Sequence, residues 1–204
     1  MKFDAVVFDM DGVLIDAVEW HYLAFNNCLK LFGVSIDVNE HAEVFDGIPT
    51  SMKLKLLPEK RGFPQRLHPL VAALKQRNTM KIIADLCTPT FEHEYLLSRL
   101  KEAGYSVGLA SNSIRSTIQL MLNNAALIDY FDVIVSNEDV IHPKPSPDPY
   151  LKACSDLGVD PARTLVIEDN QNGIQSALEA GCKVHAVNSP REVTWANIAK
   201  VLGD

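Results

Sequence analysis

Asp4-Ala5-Val6-Val7-Phe8-Asp9-Met10-Asp11-Gly12-Val13-Leu14-Ile15-Asp16 is the stretch that decides the fold. Its first half is a short apolar, β-branched run, the pattern of a strand buried on both faces. Its second half sets two carboxylates, Asp9 and Asp11, two residues apart. Gly12 follows, letting the chain turn sharply and its amides approach an anion. Carboxylates placed just past a buried strand can reach one cleft, and like charges held that close cost energy unless a cation or a proton relieves them. A hard divalent ion is the natural partner, and Mg²⁺ binds through one or two carboxylates plus substrate phosphate. Taken alone, Asp-x-Asp-Gly fits a surface turn equally well.

Outward from this stretch, comparable apolar runs recur at Val107-Gly108-Leu109-Ala110, Val133-Ile134-Val135, Leu165-Val166-Ile167 and Val184-His185-Ala186-Val187. Amphipathic segments lie between them: Leu96, Leu97, Leu100 and Ala103; Ile114, Ile118, Met121 and Leu122; Ile174, Ala177 and Leu178, stopped by Gly181. Strands alternating with helices predict an α/β fold, a Rossmann-like parallel sheet of five strands with the first strand central. Residues 17–86 break the alternation. His21, Ala24, Phe25, Cys28, Leu29 and Phe32 form one stripe ended by Gly33, and Met52, Leu54, Leu56 and Leu57 form a short unit closed by Pro58. Leu67, Leu70, Val71, Leu74, Met80, Ile82 and Ile83 continue the helical pattern. The expectation is a core of residues 1–16 and 87–204, with 17–86 as a helical cap over the carboxyl end of the sheet, where open α/β folds place ligands.

Composition narrows the function. Of 204 residues, 47% are hydrophobic and 22% charged, enough to bury a core. Nineteen Lys+Arg against 26 Asp+Glu give a net charge of −7, which repels phosphate backbones and argues against a nucleic-acid partner. Apolar runs are too short to span a bilayer, and Asp4, Asp9 and Asp11 are wrong for a secretory signal, so a cytoplasmic protein without a membrane partner is expected. Cys28, Cys87, Cys154 and Cys182 have no zinc-like spacing and read as packed thiols. His93-Glu94 lacks the second histidine of a zinc motif, and no nucleotide loop or serine-hydrolase elbow is present.

Three further features join the first pair at strand ends. Glu168-Asp169 closes the fourth strand, and Ser111-Asn112-Ser113 closes the second, offering hydroxyl and amide donors for phosphate oxygens. After the third strand comes His142-Pro143-Lys144-Pro145-Ser146-Pro147-Asp148-Pro149. A stiff linker explains the prolines but not a lysine at the same edge as the carboxylates.

With these motifs in this order, the sequence resembles the haloacid dehalogenase superfamily of phosphotransferases, in the branch whose helical cap follows the first motif and which includes β-phosphoglucomutase. Residues 9–16 match the first motif, 111–113 the second, Lys144-Pro145 the third, and Glu168-Asp169-Asn170-Gln171-Asn172-Gly173-Ile174 the fourth, with Asn where Ser is commoner at position 170. The name-giving dehalogenases lack the second aspartate, so Asp11 argues against that activity. The resemblance implies Asp9 as nucleophile forming an aspartyl-phosphate. It implies Asp11 as the acid that protonates the leaving alcohol and then the base that activates water. Mg²⁺ would be held by Asp9, the Asp11 carbonyl and Asp169, with Glu168 acting through water. Ser111, Asn112 and Lys144 would steady the phosphate. Asp16 would fix the turn into the cap.

Substrate choice is expected to lie in the cap. Asp46-Gly47-Ile48-Pro49-Thr50-Ser51-Met52-Lys53 resembles the family's loop that reaches down to the site. Thr50 stands where the mutase has an arginine for a second phosphate, which favours hydrolysis over mutase chemistry. His21 and Glu19 resemble mutase positions that gate the acid–base aspartate, which keeps the mutase as the alternative, although His21 also reads as a packed helix residue. A phosphonatase would need a cap lysine; Lys53 is the candidate, but with Lys55 it reads more simply as a solvated helix face or a phosphate-steering patch. A non-catalytic module on the same fold is a further alternative. At the second hinge, Pro89-Thr90-Phe91-Glu92 replaces the family's Pro-Gly, implying a stiffer or displaced lid. The overall expectation is a Mg²⁺-dependent phosphatase, monomer or weak dimer, acting on a small phosphorylated metabolite, with a sugar phosphate as the candidate.

Overall fold

The computed structural model describes residues 2–61 and 63–203, side chains at 58–61 excepted. Strand β1 (Ala5–Phe8) is the middle of a five-stranded parallel sheet, ordered β3-β2-β1-β4-β5. The others are β2 (Ser106–Ala110), β3 (Val133–Val135), β4 (Thr164–Glu168) and β5 (Lys183–Ala186). Val6 and Phe8 enter one apolar cluster and Val7 the other, so side chains alternate across a sheet covered on both faces. Helices α5 (Phe91–Glu102), α6 (Arg115–Asn124) and α9 (Trp195–Leu202) contribute to the first cluster. On the other face lie α7 (Asp148–Leu157) and α8 (Gln171–Glu179). A Cβ at Gly108 would stand 3.1 Å from Leu157, so the missing side chain lets α7 lie close on β2.

Strand register decides which residues share the carboxyl edge of the sheet. Phe8 pairs with Leu109 on one side and Ile167 on the other, so Asp9, Ser111 and Glu168 emerge there together. Between β1 and α5 the chain forms α1 (Val18–Lys30), α2 (Val38–Glu40) running into a π-helical turn at His41–Phe45, α3 (Thr50–Arg61) and α4 (His68–Leu86). Phe25, Leu29, Ile36, Phe45, Leu54, Leu57 and Val71 give this insert an apolar cluster of its own. Ile83, near the end of α4, belongs to the cluster under the sheet instead, so the insert is rooted in the sheet-bearing part by its last helix.

Two local expectations are corrected. Pro58 does not close its helical unit, since α3 continues to Arg61; a proline inside a helix removes one hydrogen bond and crowds the preceding turn, which weakens the helix without having to end it. Leu178 is 58% exposed, because α8 instead buries the small residues Gly173, Ser176 and Ala177 and so lies tight against the sheet. Cys154 and Cys182, far apart in sequence, come to 3.9 Å between sulfurs; all four cysteines are buried and free. Among the described residues no helix is long and apolar enough to cross a membrane.

Candidate active site

The carboxyl edge of the sheet and the helical insert enclose a cavity of about 300 Å³. Asp9, Asp11, His21, Thr50, Lys53, Ser111, Asn112, Lys144, Glu168 and Asp169, the residues singled out in the sequence, all line it. At its floor, Lys144 is fully engaged. Its ammonium donates to Asp9 Oδ1 (2.7 Å), Glu168 Oε1 (2.7 Å) and the Tyr150 hydroxyl (2.8 Å), using all three of its hydrogens. Lys144 is 3% exposed and Glu168 1%, so this is a buried ionic knot whose members are held by hydrogen bonds as well as charge. Paired with two carboxylates, Lys144 titrates above the usual lysine value despite its burial.

Glu168 accepts four bonds. Lys144 and Tyr150 reach Oε1, and the backbone amides of Asp169 and Asn170 reach Oε2. Its lone pairs are thereby occupied, so it orders Lys144 and the following turn. Asp169 is different: its Oδ1 is buried without a hydrogen-bond partner. Burial, then Glu168 and Asp46, push its carboxyl up to about 7. Burial likewise raises Asp9 well above the ordinary range; Lys144 works against this, and Glu168, Asp169 and Asp11 add to it. Oxygens of Asp9, Glu168 and Asp169 converge within 4.8 Å of one another. Acids crowded this way, with one oxygen unpaired, fit a hard cation. Glycines make the crowding possible, for a Cβ at Gly12 (φ +88°) would lie 2.0 Å from Asp169 Oδ2.

Asp11 turns away from this cluster. His21 Nε2 lies 3.0 Å from its Oδ1, and the Ser113 hydroxyl donates to its Oδ2 at 2.9 Å. Lys75 Nζ is 3.1 Å from His21 Nδ1, so the arrangement that satisfies all three is Lys75 donating to His21, which donates to Asp11. Burial alone would raise Asp11, but His21, Ser113 and Lys75 together hold it below its ordinary value. His21 itself is lowered, first by burial and then by Lys75. His21 therefore has a polar task that a packed helix residue lacks.

Asn112 lines the cavity, but its amide hydrogens go to the carbonyls of Gly47 and Lys144, and its Oδ1 accepts from the Lys144 amide. Its side chain thus ties the descending loop of the insert to the third motif and has no hydrogen left for a phosphate, which leaves the backbone amide as the donor Asn112 could offer. Ser111 Oγ accepts from the Ser113 amide, which leaves the hydroxyl hydrogen free to be donated. Asp16 is exposed. Near the second hinge, Thr90 Oγ1 contacts His93 Nδ1 and His93 Nε2 contacts the Pro190 carbonyl, anchoring the start of α5 to the C-terminal loop.

The largest correction concerns Lys53. It is 4% exposed, not on a solvated face; only Lys55 faces out. The Lys53 ammonium lies 3.4 Å from His41 Nε2 and 6.0 Å from the centre of the Phe25 ring. Sequence reasoning missed Tyr150, Lys75 and His41, and had Asp46 only as part of the loop expected to reach the site. For Lys75 a signal existed: Val71, Lys75, Thr79 and Ile83 recur every four residues on the buried side of α4.

This fold with acidic, basic and hydroxyl groups gathered at the carboxyl edge defines a phosphoryl-transfer hydrolase. The family model described as haloacid dehalogenase-like hydrolase matches residues 6–187, and the chain belongs to that family. It is 30% identical over 189 residues to pyrophosphatase PpaX of Bacillus cereus (strain AH820), covering 92% of this chain and 84% of that one. Among solved structures, β-phosphoglucomutase (pgmB) from Clostridium difficile matches with a TM-score of 0.84 at 25% identity, covering 97% of this chain and 96% of that one. CbbY from Rhodobacter sphaeroides in complex with phosphate matches at 0.82 and 25%, covering 90% and 85%. The chain is an enzyme, a hydrolase of the phosphatase kind.

Proposed function

We propose that the chain is a Mg²⁺-dependent phosphomonoester hydrolase for a small phosphorylated metabolite, working through an aspartyl-phosphate on Asp9, with residues 17–86 as its cap. The support is the Lys144 knot beside the unpaired Asp169 oxygen. Asp9, Asp169 and the Asp11 carbonyl would hold the metal, with Glu168 ordering the turn behind them. The metal would neutralise the acids and the phosphate's developing charge.

An Asp9 oxygen attacks phosphorus in line while the ester P–O bond breaks, and Asp11 gives its proton to the departing alkoxide. The arriving phosphate dianion raises Asp11 from its depressed value, favouring the protonated acid that this step needs. Asp11, again a carboxylate, then takes a proton from water as the water oxygen attacks phosphorus; the Asp9–phosphorus bond breaks and inorganic phosphate leaves. Lys144 and the Ser111 hydroxyl offset charge on the non-bridging oxygens. His21 and Lys75 orient Asp11 through both steps.

A purified-protein assay with an aryl phosphate and Mg²⁺ tests this: phosphate release is expected in the native chain and absent in Asp9→Asn. Equal background release from both proteins would rule out the enzyme reading and favour a binding module. A mutase is the second reading, because Lys53 supplies a cation one helical turn beyond Thr50, where the expected arginine is missing. Incubation with β-glucose 1-phosphate and a bisphosphate primer separates the two. Free phosphate is expected, and accumulation of glucose 6-phosphate in large excess over the primer supplied would make the mutase the correct reading.

A further inference from the structure

The cavity has two electrical ends. At the floor are Asp9, Asp11, Glu168 and Asp169, offset by Lys144. At the wall formed by α3 and α4 are Lys53 and Lys75, 4% and 8% exposed. Among the described residues no carboxylate oxygen lies within 4 Å of either ammonium, whereas every other strongly buried charge in the site has such a partner or a convergent acid cluster. Buried charges are ordinarily paired. Lys75 gives one hydrogen to His21. Lys53 gives one to His41, which burial, then the charge of Lys53, keep neutral by lowering it to about 3. An ammonium has three donors, so Lys53 keeps two with no acceptor among the described residues. Burial, then Lys75, lower Lys53 to about 7, with Asp46 and Asp11 pulling the other way. The amine is thus held without the counterion that its position calls for.

We propose that Lys53 receives a second anionic group of the substrate, so that the enzyme selects phosphomonoesters carrying a carboxylate or another phosphate away from the ester being cleaved. This rests on the phosphatase reading of the same cavity. A neutral sugar phosphate would leave Lys53 uncompensated, and a volume of about 300 Å³ admits only a small molecule. Thr50, one turn earlier on the same helix, also lines the cavity and offers a hydroxyl to the same group.

Two matched pairs test the proposal: phosphoglycolate against ethyl phosphate, and glucose 1,6-bisphosphate against glucose 1-phosphate, assayed with the full chain and Mg²⁺. The doubly anionic member of at least one pair is expected to show about tenfold or greater advantage in kcat/KM, and the pair that does so tells carboxylate from phosphate. In Lys53→Met, or Lys53→Gln if the first variant melts early, that advantage is expected to shrink by about tenfold, chiefly through KM. Pairs handled within about threefold by the native chain, or an advantage unchanged in the variant, would overturn it. If none of the four is hydrolysed, the phosphatase reading fails separately. Calorimetric binding to Asp9→Asn then decides: tighter binding of the doubly anionic members is expected, and equal binding sinks the proposal.

Discussion

Replacing Lys144 by methionine leaves Asp9 and Glu168 facing each other with no cation between them. Breaking a buried pair in this way costs about 3–5 kcal/mol, so metal-free Lys144→Met should show that much loss in urea denaturation. Its phosphatase rate should fall by at least about 10²-fold, because the charge that steadies the phosphate is gone. Lys53 behaves in the opposite sense. Its folded-state value is about 7, below the unfolded value of a lysine. The unfolded chain therefore binds the extra proton between those limits, and native stability rises with pH across that window. The cost is fully present below about 7 and is lost toward pH 10. Lys53→Met should accordingly melt higher than the native chain at pH 6.5, by a gap on the order of a few kcal/mol that closes as the pH is raised. Melting curves at several pH values check this, and a gap that widens with pH would contradict the burial argument. Asp9 and Asp169 were legible in the sequence because each directly follows the last residue of an apolar strand run, and Lys144 because it stands fixed between two prolines. Lys53 was misread through its neighbour Lys55. Its helical phase, shared with Leu54 and Leu57, already marks the buried face.

At the scale of elements, α8 opens against the back of Glu168. Alanine normally stabilises a helix interior by about 1 kcal/mol over glycine. At Gly173 the sign should reverse, since a Cβ would lie 1.6 Å from Glu168 Oε1, the oxygen that holds Lys144 and Tyr150. Gly173→Ala is expected to lower both the melting temperature and the rate; a more stable, fully active variant would show that Glu168 can move without consequence. The alternation of strands and helices was readable from period alone, because buried parallel strands are short apolar runs and their helices carry one greasy stripe. The insert was legible as helical but not in its details. Pro58 looked like an end, and the polar residues Lys75 and Thr79 hid the buried side of α4. Helical phase can place a lysine on a buried face, but it does not reveal the cavity, formed by another part of the chain, that the lysine lines.

For the whole molecule, the side-chain bonds that join the insert to the sheet-bearing part among the described residues are few: Asn112 to Gly47, Asn170 to Asp46, Gln76 to Thr117, Asn124 to Ile83, and His21 to Asp11. The cavity they close should admit small phosphate esters and exclude a phosphopeptide, whose turnover should fall at least about 100-fold below that of an aryl phosphate, each good hydrogen bond and close contact being denied to it. A cation bound only by the folded state adds about 2.7 kcal/mol at a hundredfold excess over its Kd. Mg²⁺ should therefore raise the melting temperature, chelation should reverse the rise, and Asp169→Asn should be insensitive to both. The position of β1 carries one more consequence. Its hydrogen-bonded neighbours are residues 106–109 and 164–167, so the strand that ends in Asp9 leaves the ribosome long before either partner exists. The intervening helices, with apolar contacts of their own, can collapse meanwhile. The nucleophile must wait as an unpaired strand until most of the polypeptide has been synthesised, and nascent chains released before β4 emerges should hydrolyse nothing.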